Sequence, residues 1–458
     1  MALRLAQVAD FAVRLIHEDE GIGICYRFWG LDLDIHSTIV HQLTPPVASM
    51  ITAPETATPA FLPDLSVLAW VGVGLATLAA IYTLIAVLGA LLRPRRATPW
   101  PAAAELPGVT ILKPLCGAEP RLYECLHSFC SQAWPRLQIV FGVRDPADPA
   151  VAVVRRLQHE FPQRDLALVL DGTHHGSNAK VSNLINIMAI AKHDYLIIVD
   201  SDIRVGPGYV QGVVAPLLDD TVGIVTCPYV GRPLPDLWSQ LGAQFINGWF
   251  VPSVFVAALF GSRAFAFGAT IALRRQVLEA VGGLPAIADQ LADDYRLGEL
   301  TRELGLRTVL SNVVVETVVE ERSLQDLIGH ELRWLRTIKA VRPIGYSLAS
   351  VTFALPVALI GTLVSSLARP ALLALGASAA LRLTMHLLWS ARADRSVWTR
   401  LWAMPLHDCV LFAVWCWGFL GQRVYWRQTS FHLAQDGSVY ALRSGLDKGL
   451  VATPLEND

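Results

Sequence analysis

The feature that most constrains the fold is an uncharged, apolar stretch at residues 65–92. As an α-helix it would be about 40 Å long, which exceeds the roughly 30 Å hydrocarbon core of a bilayer. We therefore predict a transmembrane helix at 65–92. Arg93, Arg95 and Arg96 follow it directly, and by the positive-inside rule they predict that the next segment lies in the cytoplasm.

The composition supports a membrane protein with a sizeable water-exposed part. Hydrophobic residues make up 53% of the chain and charged residues 17%, against roughly 25% charged in an ordinary globular protein. The formal net charge of −2 provides no basic excess for binding nucleic acid. Seven cysteines without a C-x-x-C pair argue against a disulfide framework or a zinc ribbon and favour reduced thiols.

Further apolar stretches lie near the C-terminus, at residues 344–368, 370–390 and 401–422. The second carries Arg382 and His386, so it is predicted as a weaker span or an interfacial helix, and the third contains Asp408. We predict a membrane region of two to three helices at 344–422, followed by a basic tail at 423–458. The number of crossings and the side of the tail stay open. Residues 1–64 are predicted as an N-terminal extension and linker of unassigned role.

Between the apolar regions, residues 107–341 alternate between short β-branched runs and amphipathic stretches. The runs are at 109–115, 138–144, 166–170, 195–199 and 222–227. The amphipathic stretches between them include 121–132, 150–161 and 181–192. This alternation predicts an α/β domain with a mostly parallel sheet and helices on both faces. In such sheets ligands bind beyond the carboxyl ends of the strands.

Acidic residues follow two of these predicted strands. Asp145 comes after the second strand, and Asp200 and Asp202 come after the fourth. Two aspartates separated by one residue at a strand end can face one divalent cation, and their hard oxygen ligands suit Mg²⁺ or Mn²⁺. A single D-x-D is also compatible with a solvated loop. Phosphate-loop and dinucleotide-binding glycine motifs are absent from the sequence, which argues against those enzyme classes.

Two later motifs also allow two interpretations each. Asp293 and Asp294 begin an amphipathic stretch; they are either acids favoured by the helix dipole or a site for a general base. Arg333 and Trp334 either lie on an ordinary amphipathic face or help to close a site around a diphosphate and an acceptor. The residues alone leave these alternatives open.

Taken in order, these motifs resemble the D, D-x-D, [ED]D, [QR]-x-x-R-W pattern of processive-type family 2 glycosyltransferases. The surrounding segments KPLCGAEPRLYECLHSFCSQAWP, SNAKVSNL, VDSDIRV and ADDYRLG are similar to the ceramide glucosyltransferase family (family 21). Within that group the chain most resembles the bacterial hopanoid-biosynthesis glycosyltransferases. The resemblance covers about residues 65–430 and implies a GT-A fold that binds a UDP-sugar.

The resemblance also implies roles for residues in the first half of the domain. Asp145 would hold the uracil or ribose side of the nucleotide. Asp200 would support the nucleotide sugar and contribute to the metal site, with Asp202 as the acid that faces a Mg²⁺ or Mn²⁺ cofactor. Lys180 and Asn183 match the N-x-K-x-x-N segment before the D-x-D and would also bind the nucleotide sugar.

In the second half, Asp294 would be the catalytic base that takes the proton from the acceptor hydroxyl. Asp293 matches the acid before it, and both Arg333 and Trp334 match the last motif; these three would contact the nucleotide sugar. His330 stands where the pattern usually has Gln or Arg. Histidine can still form a hydrogen bond, and the resemblance assigns it to nucleotide-sugar binding.

Residues 237–267 are apolar and aromatic, although they lie between the D-x-D and Asp294. They are either buried core or an interfacial or re-entrant element at which a lipid acceptor enters. We favour the second interpretation and take Trp249 and Phe250 as exposed aromatics of the acceptor region.

The predicted function is a membrane-bound inverting glycosyltransferase that moves a sugar from a UDP-sugar to a hydroxyl of a lipid. A hopanoid is the favoured acceptor and UDP-N-acetylglucosamine the favoured donor. The alternatives are glucosylation of ceramide with UDP-glucose, a polysaccharide synthase, and a non-enzymatic membrane scaffold. The predicted location is the bacterial inner membrane, with several crossings and the catalytic domain facing the cytoplasm. No nucleic-acid partner is expected, and the oligomeric state stays open.

Overall fold

The computed structural model describes residues 66–92, 100, 105–393, 401, 403–421, 423–426, 429–433 and 439–441. The predicted extension at 1–64 and the end of the basic tail from residue 442 lie outside the described residues.

The strands alternate with helices as the sequence pattern predicts. In chain order the strands are β1 Val109–Leu115, β2 Leu137–Val143, β3 Asp165–Leu170, β4 Tyr195–Ile198, β5 Ile203–Arg204, β6 Val222–Thr226, β7 Tyr229–Pro233, β8 Ile271–Arg274, β9 Arg307–Leu310, β10 Val315–Val319, β11 Arg423–Trp426, β12 Thr429–Leu433 and β13 Val439–Ala441.

The α-helices, in the same order, are α1 Val67–Leu92, α2 Leu122–Cys130, α3 Ala150–Glu160, α4 Ala179–Met188, α5 Tyr209–Val214, α6 Leu237–Gln244, α7 Val251–Leu259, α8 Arg275–Ala280, α9 Asp293–Glu303, α10 Leu324–Val341, α11 Pro343–Leu348, α12 Ala354–Val364, α13 Arg369–Ala393 and α14 Ala403–Gly418. A π-helical segment, Phe245–Phe250, joins α6 to α7. Together these three form one helical run, Leu237–Leu259, which we call the central apolar helix.

The main sheet has seven strands in the order β3-β2-β1-β4-β8-β6-β9. Strands β3, β2, β1 and β4 are parallel, and β8 runs antiparallel to both of its neighbours. Every residue of β1 and β2 is buried, which explains their continuous apolar sequence, since helices cover both faces of such a sheet. The α/β prediction is confirmed, and the sheet is mixed.

A second sheet has three strands in the order β5-β10-β7. Strand β10 pairs antiparallel with β5 and parallel with β7. The D-x-D segment connects β4 to β5, and the backbone N–H of Val318 in β10 donates to the carbonyl of Asp202 at 3.1 Å. The D-x-D motif therefore lies where the chain passes from the main sheet to the small sheet.

Three helices among the described residues are long and apolar enough to cross a membrane: Val67–Leu92, Leu237–Leu259 and Arg369–Leu388. The first agrees with the helix predicted at 65–92. Within the apolar stretch at 344–368, Pro343–Thr352 and Ala354–Val364 meet at an angle of 71°. The backbone of Phe353 leaves the helical region between them. The central apolar helix makes up residues 237–259 of the segment at 237–267, and the interfacial or re-entrant role of that segment stays a prediction.

The charges in the C-terminal apolar stretches are paired. Arg382 on α13 donates two hydrogen bonds to the carboxylate of Asp408 on α14, at 2.8 and 2.7 Å, and both side chains are buried. His407 on α14 lies 2.7 Å from the carboxylate of Glu331 on α10. Ionisable groups among apolar helices are tolerated when they pair in this way. The second pair ties the helix of the last sequence motif to the membrane region.

Helices α1 and α12 approach each other closely at two glycines. A Cβ atom added to Gly361 would overlap the carbonyl oxygen of Gly72, and one added to Gly72 would overlap that of Gly361. Small residues at a crossing let helix backbones pack together where lipid provides no hydrophobic driving force between them.

We expect Gly361→Ala to lower the free energy of unfolding in detergent by about 1–3 kcal/mol, because the added methyl group forces the two backbones apart. Gly74→Ala on α1 is the matched control, since a Cβ there meets nothing within 4 Å. Thermal or denaturant unfolding of the purified variants measures both effects. Equal stability of the two variants would contradict the close crossing.

Candidate active site

The candidate site is built around the ammonium group of Lys180. Its Nζ lies 2.8 Å from Oδ1 of Asp200 and 3.0 Å from Oδ2 of Asp293. Asp200 follows β4, whereas Asp293 begins α9. One lysine thus joins the D-x-D motif to the Asp293-Asp294 motif, as their assignment to one site requires. We refer to Lys180 with Asp200, Asp202, Asp293 and Asp294 as the acidic cluster.

Asn178 explains why Lys180 has this position. Its side-chain oxygen caps α4 by accepting hydrogen bonds from the backbone N–H groups of Lys180 and Val181. Its amide nitrogen donates to the carbonyl of Gln290 at 2.8 Å, just before α9. A cap that is itself buried sets the start of the helix. Asn178 therefore fixes Lys180 and the approach to α9 together.

Asp294 lies beside a glycine that leaves room for the cluster. Its Oδ2 accepts a hydrogen bond from the backbone N–H of Gly268 at 2.7 Å. A Cβ added to Gly268 would lie 2.8 Å from Oδ2 of Asp200 and 3.2 Å from Nζ of Lys180. Burial is the main cause that raises the pKa of Asp294 to about 6. The charge of Asp293 adds to this shift, whereas the charge of Lys180 opposes it. The carboxyl is thus tuned towards the range in which a general base works.

Asp202 occupies the side of the site that faces β10. The hydroxyl of Thr317 donates to its Oδ2. Burial and the charges of Asp200 and Glu119 raise the pKa of Asp202 to about 7. An ionised Asp202 is therefore poorly compensated by the protein alone, and a cation beside it would be stabilised.

The donor set fits a divalent cation only in part. Among the described residues no group of three or more His, Cys, Asp or Glu side chains is arranged to hold a metal ion. Asp200 and Asp202 are two carboxylates, however, and Mg²⁺ is commonly held by one or two carboxylates plus the phosphates of a substrate. The residues fit a cation that binds together with a diphosphate, and the type of metal is open.

Lys113 is a component of the site that sequence reasoning missed. It lies in the middle of β1, is fully buried, and donates from Nζ to the backbone carbonyl of Asp200 at 2.5 Å. Burial lowers its pKa to about 8, although the surrounding acidic groups oppose the shift. Its only sequence signal is a lysine within an otherwise apolar strand. Gly268, Tyr229 and Thr317 were missed as well, because nothing local marks them.

The last motif contributes an aromatic wall. Trp334 belongs to an aromatic cluster that continues to the glycine beside Asp294; its members are Tyr229, Phe245, Phe250, Phe265, Phe267 and Trp334. The pKa of Tyr229 is raised well above its usual value by burial and then by Asp294, Asp200 and Asp202, whereas Arg333 lowers it. Arg333 and the acidic cluster therefore act on the same side chain.

His330 departs from the expected pattern in its contacts as well as its identity. Its Nδ1 lies 2.5 Å from Oε1 of the buried Glu321, and its ring meets Trp334 edge-on at 5.6 Å between centroids. His330 therefore contacts both Glu321 and Trp334. Contact of His330 with a nucleotide sugar stays a prediction.

Two predicted donor-binding residues lie apart from the Lys180 ion pairs. Asn183 is 4% exposed, and its amide donates to the carbonyls of Gly142 at 2.9 Å and Leu115 at 3.4 Å. It therefore holds the ends of β1 and β2 together, and little of its surface is open to a nucleotide. Asp145 follows β2 at the same sheet edge, is exposed, and accepts from the N–H of Ala147 at 2.8 Å. Its contact with the nucleotide stays a prediction.

The two aromatics of the predicted acceptor region have different environments. Trp249 is not exposed: its ring stacks on Phe353 at 5.6 Å, and its Nε1 donates to Thr352 at 2.7 Å. An indole N–H needs a partner when it is buried, and α11 and α12 flank the segment that supplies it. Phe250 is partly buried and meets Trp334 at 5.7 Å and Phe267 at 5.2 Å. Phe250 therefore packs on the residue that precedes Gly268, whose N–H donates to Asp294.

The profile of Glycosyl transferase family 21 matches residues 71–439. The chain belongs to this family. The predicted resemblance to ceramide glucosyltransferases of family 21 and the predicted class of enzyme, a glycosyltransferase, are confirmed at the level of the family. With the mixed sheet and the apolar helices described above, this membership also supports the predicted α/β GT-A fold with transmembrane helices.

Relatives of known name agree with this assignment. Ceramide glucosyltransferase 3 of Caenorhabditis elegans is 24% identical over 52% of this chain and 52% of its own. A ceramide glucosyltransferase of Candida albicans is 36% identical over 21% of this chain and 20% of its own. The chain spans about half the length, or less, of these curated relatives.

Among solved structures, a mannosyltransferase from Pyrobaculum calidifontis in complex with GDP-Man and Mn²⁺ aligns with a TM-score of 0.49 and 23% identity. The alignment covers 77% of this chain and 99% of the mannosyltransferase.

Proposed function

We propose that this protein transfers a sugar from a UDP-sugar to a hydroxyl group of a membrane lipid, with inversion at the sugar carbon. One observation carries the proposal. The carboxylate of Asp294 accepts a hydrogen bond from Gly268, and the residue before this glycine, Phe267, packs against Phe250 of the central apolar helix. A carboxylate suited to accept a proton is thus close to an apolar helix that is long enough to cross a membrane.

The residues of the acidic cluster and Arg333 are assigned different roles. Asp294 takes the proton from the acceptor hydroxyl, and its raised pKa of about 6 keeps it ionised at neutral pH while leaving it basic enough to act. Lys180 holds Asp200 and Asp293 in place. Arg333 is assigned to the developing negative charge of the departing diphosphate. A divalent cation held by Asp202 and Asp200 would stabilise the same charge when bound.

A single base favours direct displacement. Asp293 is bound to Lys180, so of the two adjacent acids only Asp294 is assigned to the acceptor. With one base opposite the leaving group, the hydroxyl attacks the sugar carbon as the bond to the diphosphate breaks. No carboxylate nucleophile is needed, and the product has the inverted configuration.

We infer a lipid acceptor from the surroundings of Asp294. The central apolar helix and the aromatic cluster would bind an apolar tail while the hydroxyl reaches the base. A hopanoid with UDP-N-acetylglucosamine is our preferred pair, on the resemblance of the motifs. The names of the curated relatives favour the second candidate, transfer of glucose from UDP-glucose to ceramide.

We further propose that residues 107–341 form the catalytic domain on the cytoplasmic side of a bacterial inner membrane, anchored by several crossings. The arginines at 93, 95 and 96 support this orientation by the positive-inside rule. UDP-sugar would then be bound from the cytoplasm.

Asp294→Asn tests the assignment of the base. We expect transfer to fall by about 10²–10⁴-fold, because the amide cannot take the proton, while UDP-sugar affinity changes little. In the unmodified protein, kcat/KM should fall as the pH drops below about 6, since protonation of Asp294 removes the base. Product formation and nucleotide binding, measured against pH, report these effects separately.

The matched control is Asp220→Asn. The side chain of Asp220 is 99% exposed, so this substitution should leave the transfer rate unchanged. If Asp294→Asn turned over at a near-normal rate, Asp294 would not be the base.

Phe250→Ala tests the acceptor surface. We expect the KM for the lipid to rise about tenfold, because burying a phenylalanine is worth about 1.5–3 kcal/mol, and the KM for the UDP-sugar to stay within about twofold. Phe161→Ala is the control, since Phe161 follows α3, is partly buried like Phe250, and packs against His127 outside the acceptor region. Equal increases in both KM values for Phe250→Ala would count against an acceptor role.

A further inference from the structure

A small cavity lies among the apolar helices. Its walls come from α1, the central apolar helix, the α11–α12 bend, α13 and α14, and they include Tyr82, Trp249, Thr352, Arg382 and Asp408. The cavity volume is about 20 Å³. That is room for a single water molecule or for one oxygen-bearing group of a larger ligand.

Apart from Arg382, the polar side chains that line this cavity are hydrogen-bonded within the protein. The hydroxyl of Tyr82 bonds to Ser253 at 2.9 Å, and Nε1 of Trp249 donates to Thr352 at 2.7 Å. Thr83 donates to the carbonyl of Ala79 in its own helix at 2.8 Å. None of these groups requires a ligand in order to be satisfied.

Arg382 is the exception. It is 5% exposed, and its Nε and Nη2 donate to the two oxygens of Asp408. Its Nη1 is buried and has no hydrogen-bond partner among the described residues. Gly248 makes the room for this guanidinium, because a Cβ there would overlap Nη2. A charged donor with an unused N–H thus lines a cavity of atomic size.

The chemistry of the missing partner follows from charge and size. A buried donor on a charged group is costly when it has no acceptor, so an oxygen atom at Nη1 would be stabilised. Asp408 already balances the charge of Arg382, which favours a neutral oxygen over a phosphate or a carboxylate. The small volume also excludes a phosphate. A hydroxyl or carbonyl oxygen fits both conditions.

A short series of adjacent residues leads from the wall of the cavity to the acidic cluster. Trp249 lines the cavity, and the next residue, Phe250, packs against Phe267. Gly268 follows Phe267 and donates to Asp294. A lipid bound along the central apolar helix could therefore reach the base with one polar group and the cavity with another.

We propose that this cavity binds a second neutral oxygen of the lipid acceptor, distinct from the hydroxyl that receives the sugar, through Nη1 of Arg382. The inference rests on the proposed function and deepens it, because it restricts the acceptor to lipids with at least two neutral oxygen groups. A lipid with a single hydroxyl would leave the guanidinium to a water molecule.

The test measures lipid binding by the full-length protein in detergent, without UDP-sugar. The probes are long-chain diols that differ in the distance between their two hydroxyls, together with the primary alcohol of equal length. We expect at least one diol to bind about tenfold more tightly than the alcohol, as a hydrogen bond to a charged group would provide. Arg382→Lys keeps the charge but lacks Nη1. In this variant the affinities for the diol and the alcohol should differ by no more than about twofold.

Two further variants keep the result interpretable. Arg382→Met/Asp408→Leu removes both charges and should also lose the preference, whereas Arg307→Met/Asp219→Leu removes an exposed ion pair elsewhere and should retain it. Equal binding of all the diols and the alcohol, or a preference that survives in Arg382→Lys, would overturn the proposal and leave the cavity to water. The unmodified protein is also incubated with the preferred diol and mixed UDP-sugars. A diol preference that Arg382→Lys abolishes, together with no sugar transfer to any lipid in this second assay, would refute the proposed function and leave the cavity proposal standing.

Discussion

The contacts of Lys180 with Asp200 and Asp293 are the interaction on which the rest of the site depends. Burial alone would lower the pKa of Lys180, but the charges of Asp200 and Asp293 outweigh it and raise the pKa above its usual value. The lysine is therefore a fixed positive charge among several carboxylates. Without it, the loop after β4 and the start of α9 would repel each other. The Asn178 cap and the missing side chain of Gly268 allow the three charged groups to meet.

The membrane region contributes directly to this site. Glu331 and His407 join α10 to α14 through a buried pair, and Trp249 stacks on Phe353 at the bend between α11 and α12. The position of Trp334 beside the cluster therefore depends on helices of membrane character. This arrangement gives a physical reason for the apolar segment that lies between the D-x-D and Asp294 in the sequence.

Much of the domain could be predicted because buried parallel strands leave a continuous apolar signal. The bounds of β1 match the prediction, and the D-x-D follows β4 as expected. The bend at Phe353 and the burial of Trp249 could not be predicted, since hydropathy reports composition and not the partner that a side chain meets. Lys113 was missed for a related reason: a lysine inside an apolar strand has a role only through the carbonyl that it reaches.

The central claim is that this acidic cluster transfers sugar to a lipid. It is tested most directly by incubating the purified protein with mixed UDP-sugars and a divalent cation, in the presence of hopanoid and ceramide acceptors. The products are then identified by mass spectrometry and their anomeric configuration by NMR. The account predicts one lipid that carries one sugar in the inverted, β configuration. Retained configuration, a soluble polysaccharide, or UDP release without any glycolipid would contradict it.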